Sequence, residues 1–318
     1  MPTRREWLKM TAGAVALGAT GAALRVSGDS TAAKGPMAPV EKPPAARPFK
    51  ISLNAYSFNR ALTAPAAGGP AELTLVEVLN FCAEVGFDGL DATGYYFPGY
   101  PKVPADDYVN ALKRRAFKLG LAITGTGVRN NFAQADPEKR AADVRLVKEW
   151  IEVAAKLGAP VIRVFAGGAA EGADREVVAA AMAAHLRDCA EHGRRHGVTV
   201  GLQNHADFLR TADQVVDMVR RVDSEWFGVI VDTGNFHEGD PYAEMARVLP
   251  HAVSFQVKES PLGPDSPVPM DLARLVQVIR AGGYRGYLPI ETLEAKGRPY
   301  EPRVLVPQFL AAVRLAAG

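Results

Sequence analysis

Cysteine is scarce in this chain, and neither sign of charge is in excess. Only Cys82 and Cys189 occur among the 318 residues. Two thiols this far apart make neither a zinc cluster nor a disulfide framework, although a single bridge between them stays open. Each lies in a helix-periodic segment, where a free cysteine packs as a small apolar residue. Lys and Arg total 37 against 35 Asp and Glu, a formal net charge of +2. Such a balance gives no electrostatic footprint for DNA or RNA. The basic runs at 113–115 and 194–196 are short, lie on predicted helices and read as solvated faces. A glycine-rich phosphate turn is also missing: the first strand runs into Asn54-Ala-Tyr-Ser-Phe-Asn59, which argues against a dinucleotide-binding open sheet. What remains is a globular composition, 48% hydrophobic, long enough for one large α/β domain or two average ones.

The first residues read as an address. Thr3-Arg4-Arg5-Glu6-Trp7-Leu8-Lys9 precedes an apolar stretch from Met10 to about Leu24, too short for a stable membrane span. Paired arginines ahead of an aromatic, a Leu and a Lys look like a twin-arginine (Tat) export signal over residues 1–27; an ordinary Sec signal is the alternative. The expectations are a periplasmic location, the Tat machinery as partner, and no stable membrane anchor, since no cysteine follows the apolar stretch. Residues 28–48 are rich in Ala, Pro, Gly and Lys without apolar period, and read as a flexible tether.

From Phe49 onward one pattern repeats: a β-type run, a polar turn, an amphipathic helix and often a closing glycine. The runs are 49–57, 87–92, 121–127, 160–166, 198–204, 227–232, 252–258 and 287–292. Helix starts are marked by Thr74-Leu-Val-Glu77, Asp136-Pro137, Thr211-Ala-Asp-Gln214 and Asp240-Pro241, and helix ends by Gly86, Gly120, Gly158 and Gly197. Eight strand–helix units in the span 49–318 predict a single (β/α)8 TIM barrel.

In such a barrel the chemistry sits at the C-terminal strand ends. Here those ends carry Asp91, Arg163, Gln203-Asn204-His205, Asp232-Thr-Gly-Asn235, Gln256-Val-Lys258 and Glu291. A charge on a buried strand is costly unless it is paired or coordinating, so these residues read as functional. The plainer alternative is that Arg163, Asp232 and Lys258 pair with one another inside the barrel. Tyr95-Tyr96-Phe97, in the loop after the second strand, offers an aromatic platform for a ligand, with a core or an interface role equally open.

Gly-Leu-Gln-Asn-His at 201–205, Asp-Thr-Gly-Asn-Phe at 232–236, Gln-Val-Lys at 256–258 and Ile-Glu at 290–291 resemble the xylose-isomerase-like TIM-barrel superfamily. That group includes sugar epimerases and isomerases and endonuclease IV. The resemblance implies a small-molecule carbohydrate substrate and a divalent ion held by Glu, Asp, His and Glu on strands five to eight. Carried over, Asp232 and Glu291 keep the pattern, whereas Gln203 and Gln256 replace a Glu and a His. Asp232, Glu291, Gln203 and Gln256 are therefore the expected ligands of an all-oxygen site suited to Mn²⁺ or Mg²⁺. Glu291 is the expected catalytic base. Gln203 cannot take a proton, so a second base would be His205 or a desolvated Lys258; otherwise Glu291 alone shuttles a proton between adjacent carbons, with the ion and Lys258 stabilising the enediolate. Arg163, Asn204, Asn235, Asp91 and Tyr56 are expected to hold the sugar. A keto-sugar lyase and a non-catalytic sugar-binding barrel are the alternatives. The trinuclear zinc site of an endonuclease is not supported by these strand ends.

Overall fold

The structure is a computed structural model that describes residues 49–64 and 69–318. The expected export signal at 1–27 and the expected tether at 28–48 lie outside the described residues. Eight strands, each parallel to its neighbours, close into one barrel in chain order. They are β1 Ile51–Asn54, β2 Gly89–Asp91, β3 Ala122–Gly127, β4 Val161–Phe165, β5 Thr199–Gln203, β6 Phe227–Asp232, β7 Ala252–Lys258 and β8 Leu288–Glu291. Closure is made by β1 against β8, with Ile51 opposite Leu288 and Leu53 opposite Ile290. The helices that follow them are α1 Leu75–Val85, α2 Asp106–Lys118, α3 Pro137–Leu157, α4 Arg175–His196, α5 Ala212–Val222, α6 Pro241–Val248, α7 Leu272–Ala281 and α8 Pro302–Ala317.

Period-two alternation explains why the barrel holds and why its lumen is polar. Leu53, Leu90, Ile162, Val164, Leu202, Val229, Val231, Val257 and Ile290 are buried in the apolar core. The residues between them include Ser52, Asn54, Asp91, Arg163, Gln203, Asp232, Gln256, Lys258 and Glu291, all buried as well. The strands thus give one row to the greasy layer and one to the lumen, which is apolar at Val161 and Ile230 and polar toward the C-terminal strand ends. Cys82 and Cys189 are free and buried among the core residues, so no bridge links them.

The helix boundaries follow local chemistry. Thr74 and Thr211 each close a capping box, with Glu77 and Gln214 reaching back to the cap. Asp136 accepts from the Glu138 and Lys139 amides ahead of α3, and Gly158 ends that helix at a φ of 78°, a conformation that glycine adopts without strain. The first strand is shorter than its apolar run. Asn54 Oδ1 accepts the Tyr56 amide at 2.8 Å, which turns the chain into a 3-10 helix at Ala55–Phe58. Helix α7 begins at Leu272, where the Asp271 side chain caps it by accepting the Arg274 amide. No helix among the described residues is long and apolar enough to cross a membrane.

Candidate active site

A cavity of about 730 Å³ opens at the C-terminal ends of the strands. Eight residues expected from the sequence line it: Tyr56, Arg163, Gln203, His205, Asp232, Asn235, Lys258 and Glu291. Its floor is a carboxylate–ammonium–carboxylate cluster. The Lys258 ammonium donates to Glu291 Oε1 in a short contact and lies 3.5 Å from Asp232 Oδ2. All three groups are buried. Burial pulls the Lys258 ammonium down, but Asp232 and Glu291 outweigh it and hold it above the ordinary lysine range. Lys258 therefore stays charged, which corrects the expectation that desolvation would make it a base.

The Asp-Thr-Gly sequence at the end of β6 builds this floor. Asp232 Oδ1 accepts the Gly234 amide at 2.9 Å, and Thr233 Oγ1 accepts the Lys258 amide at 2.9 Å. A Cβ on Gly234 would stand 2.8 Å from Lys258 Cγ, so only glycine leaves room for the lysine stem. Gly127 does the same for Arg163, where a Cβ would meet the side chain at 2.8 Å.

Two chains of hydrogen bonds fix the site's amides. Arg163 donates to Gln203 Oε1 at 3.2 Å, and Gln203 Nε2 donates to Asp232 Oδ2 at 2.5 Å. Turning this amide over would set donor against guanidinium and acceptor against carboxylate. Likewise Asn54, whose oxygen is taken by the Tyr56 amide, donates Nδ2 to Gln256 Oε1 at 2.7 Å. That leaves Gln256 Nε2 buried without a partner. The resemblance implies a divalent ion here, and the residues do not fit one. Gln203 presents N–H to Asp232, the Gln256 carbonyl is committed to Asn54, and an ammonium sits on the two carboxylates. The site expected at Asp232, Glu291, Gln203 and Gln256 is therefore not an all-oxygen cage. One group of three metal-capable side chains does occur among the described residues: Glu152 on α3 with His192 and His196 on α4, in the outer helical layer, their ligand atoms within 4.8 Å of one another.

The remaining expected residues divide by position. Asn204 is buried and spent on structure: its Nδ2 donates to the Asp232 carbonyl at 2.9 Å and its Oδ1 accepts the Asp232 amide at 2.8 Å. It splices β5 to β6 and does not line the cavity, which corrects its assignment to the sugar. Asn235 lines the cavity and donates to the Asn204 carbonyl at 3.3 Å. His205 stands at the rim, half-exposed, its ring 4.7 Å edge-on from Phe165 and its Nδ1 3.8 Å from Asp207. Asp91 is buried in the lumen and does not line the cavity; burial pushes its carboxyl up to about 6, against the opposing pull of Arg163.

Sequence reasoning did not single out Asn54, Arg129 or Tyr300. Arg129 stacks its guanidinium 4.4 Å from the Tyr95 ring, and Arg163 donates to the Tyr95 hydroxyl in a short contact. Tyr95 lines the cavity, while Phe97 is core. Tyr300 also lines the cavity, its hydroxyl donating to the Ser57 carbonyl at 2.7 Å. Arg129 and Tyr300 lie in loops, where no periodicity marks them; the signal for Asn54 was a polar residue ending an apolar strand.

Many solved structures share this fold. The 3-keto-D-glucoside 4-epimerase of E. coli superposes with a TM-score of 0.67 at 17% identity, covering 84% of this chain and 99% of its own. D-psicose 3-epimerase from Clostridium cellulolyticum H10, solved with D-tagatose, gives 0.68 at 17%, covering 85% and 99%. A xylose isomerase-like TIM barrel protein from Mycobacterium smegmatis, in complex with magnesium, gives 0.61 at 19%, covering 85% and 97%. At these identities the likeness is one of fold. The comparison with curated proteins finds no matching relative. The family model described as xylose isomerase-like TIM barrel matches residues 79–307, most of the barrel, and the chain belongs to that family.

Proposed function

We propose that the barrel mouth binds a carbohydrate bearing a carbonyl and removes a proton from the adjacent carbon, as a sugar or keto-sugar isomerase or epimerase. The observation that carries this reading is Glu291: a buried carboxylate lining the cavity, with Oε1 held by Lys258 and Oε2 without a hydrogen bond among the described residues. Oε2 takes the proton, and the C–H electron pair moves into the enediolate, whose oxyanion is met by the Lys258 ammonium and the Arg163 guanidinium. Preorganised cations of this kind act most strongly where water is excluded. Returning the proton to the neighbouring carbon isomerises the sugar. Returning a proton from the other face, with His205 at the rim as donor, epimerises it. Tyr95 and Tyr56 supply apolar surface for the sugar ring, and Asn235 a polar contact at the rim. Similarity of fold to sugar epimerases supports the substrate class.

Gln203 favours a second reading. It is not ionisable and is locked between Arg163 and Asp232, so Glu291 is the one carboxylate base lining the floor that is not tied at both oxygens. A lyase that expels a β-substituent from a keto-sugar needs only that base. The divalent ion implied by the family would have to be held by Asp232 and Glu291, and no step above depends on it. The paired arginines at 4 and 5 support export through the twin-arginine route to the periplasm. Turnover of a panel of sugars and 3-keto-sugars, with and without Mn²⁺, tests the reading: epimer or isomer products favour the first form, eliminated products the second, and binding without turnover a carbohydrate-binding barrel.

A further inference from the structure

We propose that Lys258 is a built-in cation that takes the role of a divalent metal at the barrel mouth, so that this chain works without one. The inference rests on the reading of the mouth as the reactive site, but its evidence is the wiring of the floor. Two carboxylates, Asp232 and Glu291, lie buried on adjacent sides of one ammonium. A divalent ion bridging them would come within contact distance of Nζ, cation against cation in a buried setting where such repulsion is strong. The stem of Lys258 is held close to the β6 turn, because its backbone amide is tied to Thr233 and its Cβ and Cγ lie over Gly234.

The other oxygens a metal would need are also committed. Asp232 Oδ1 is taken by the Gly234 amide and Oδ2 by Gln203 Nε2. Gln203 cannot turn its carbonyl inward without facing its N–H groups to Arg163, a residue that only donates. Gln256 cannot turn its carbonyl inward without breaking the relay Tyr56 amide to Asn54 to Gln256. Each feature alone would be a packing detail; together they convert an oxygen cage into a fixed ammonium with donor groups around it. The consequence for chemistry is an electrophile that binds the substrate carbonyl by N–H donation.

The test uses cation binding, which needs no substrate. The full chain carrying His196→Ala, to silence the Glu152–His192–His196 group on the outer layer, is stripped with EDTA and titrated with Mn²⁺. Free Mn²⁺ is followed by paramagnetic resonance and thermal unfolding by calorimetry. The expected result is no stoichiometric uptake at micromolar Mn²⁺ and an unchanged Tm. Adding Lys258→Met should lower Tm in the absence of metal and create Mn²⁺ uptake, raising Tm by about 5 °C at a hundredfold excess over Kd. Uptake of one Mn²⁺ per chain by the His196→Ala protein, abolished by Asp232→Asn, would overturn the inference. That titration decides the matter even if Lys258→Met does not fold. A failure to find any sugar substrate would count against the carbohydrate reading and leave the titration unaffected, while Mn²⁺ uptake would leave the carbohydrate reading standing.

Discussion

At the scale of single residues, the mouth combines one base with two cations, and a buried acid of unusual affinity, Asp91, lies in the lumen outside the cavity lining. Glu291→Gln keeps size and burial while removing the base. A general base contributes about 10²–10⁴-fold, so kcat should fall by that amount while far-ultraviolet circular dichroism stays native. Normal turnover in that variant would remove Glu291 from the mechanism. Asp91 gives a separate pH signature. Its folded carboxyl titrates near 6, raised mainly by burial, against about 3.9 when unfolded. The folded state therefore holds that proton more tightly, and the resulting stability is complete below about pH 4 and lost as pH rises through 6. Asp91→Asn has no such titration. Its stability relative to the parent should rise by about 2 kcal/mol between pH 4 and pH 7 in urea unfolding, and parallel profiles would contradict the assignment. Much of this was readable in the sequence. Lys258 and Glu291 stood out because a charge in an apolar strand demands a partner. What period-two alternation cannot tell is which partner: it placed Lys258 and Asp232 in one lumen but could not show that the ammonium would settle on both carboxylates. The spending of the Asn204 amide on the β6 backbone was hidden for the same reason, since a strand-end Asn reads alike whether it meets a ligand or a neighbouring strand.

At the scale of elements, the strand–helix punctuation was legible because caps and glycine stops are local chemistry. Thr74, Asp136, Thr211 and Asp240 all cap the helices they were expected to start. Ends of apolar runs were less informative, as at β1, where a side-chain hydrogen bond turned the chain early. The Asp-Thr-Gly turn after β6 ties structure to function. Gly234→Ala places a methyl 2.8 Å from Lys258 Cγ and 3.1 Å from the Ser260 carbonyl. Overpacking of this kind costs about 1–3 kcal/mol, and here it also displaces the ammonium, so activity per folded molecule should fall with stability. Thr74→Ala is the contrasting case: loss of an exposed cap on α1 should cost about 1 kcal/mol in urea unfolding and leave turnover per folded molecule unchanged. Equal activity losses in the two variants would show that the turn has no special hold on the site.

For the whole molecule, the barrel divides its strands between an apolar outer row, packed in the core, and an inner row whose polar C-terminal ends form the candidate site. The export proposal belongs at this scale. With Arg4→Lys and Arg5→Lys together, precursor should accumulate in the cytoplasm on cell fractionation, and unimpeded export would point to a Sec signal or to none. The central claim is that the mouth takes a proton from a carbon beside a carbonyl. Incubation of the full chain with keto-sugars in D₂O, read by proton NMR and mass spectrometry, tests it directly. The account predicts deuterium at the carbon next to the carbonyl of the sugar that is turned over, with the rate cut at least about 100-fold in Glu291→Gln. Turnover without solvent deuterium in substrate or product, or with exchange undiminished in Glu291→Gln, would contradict it.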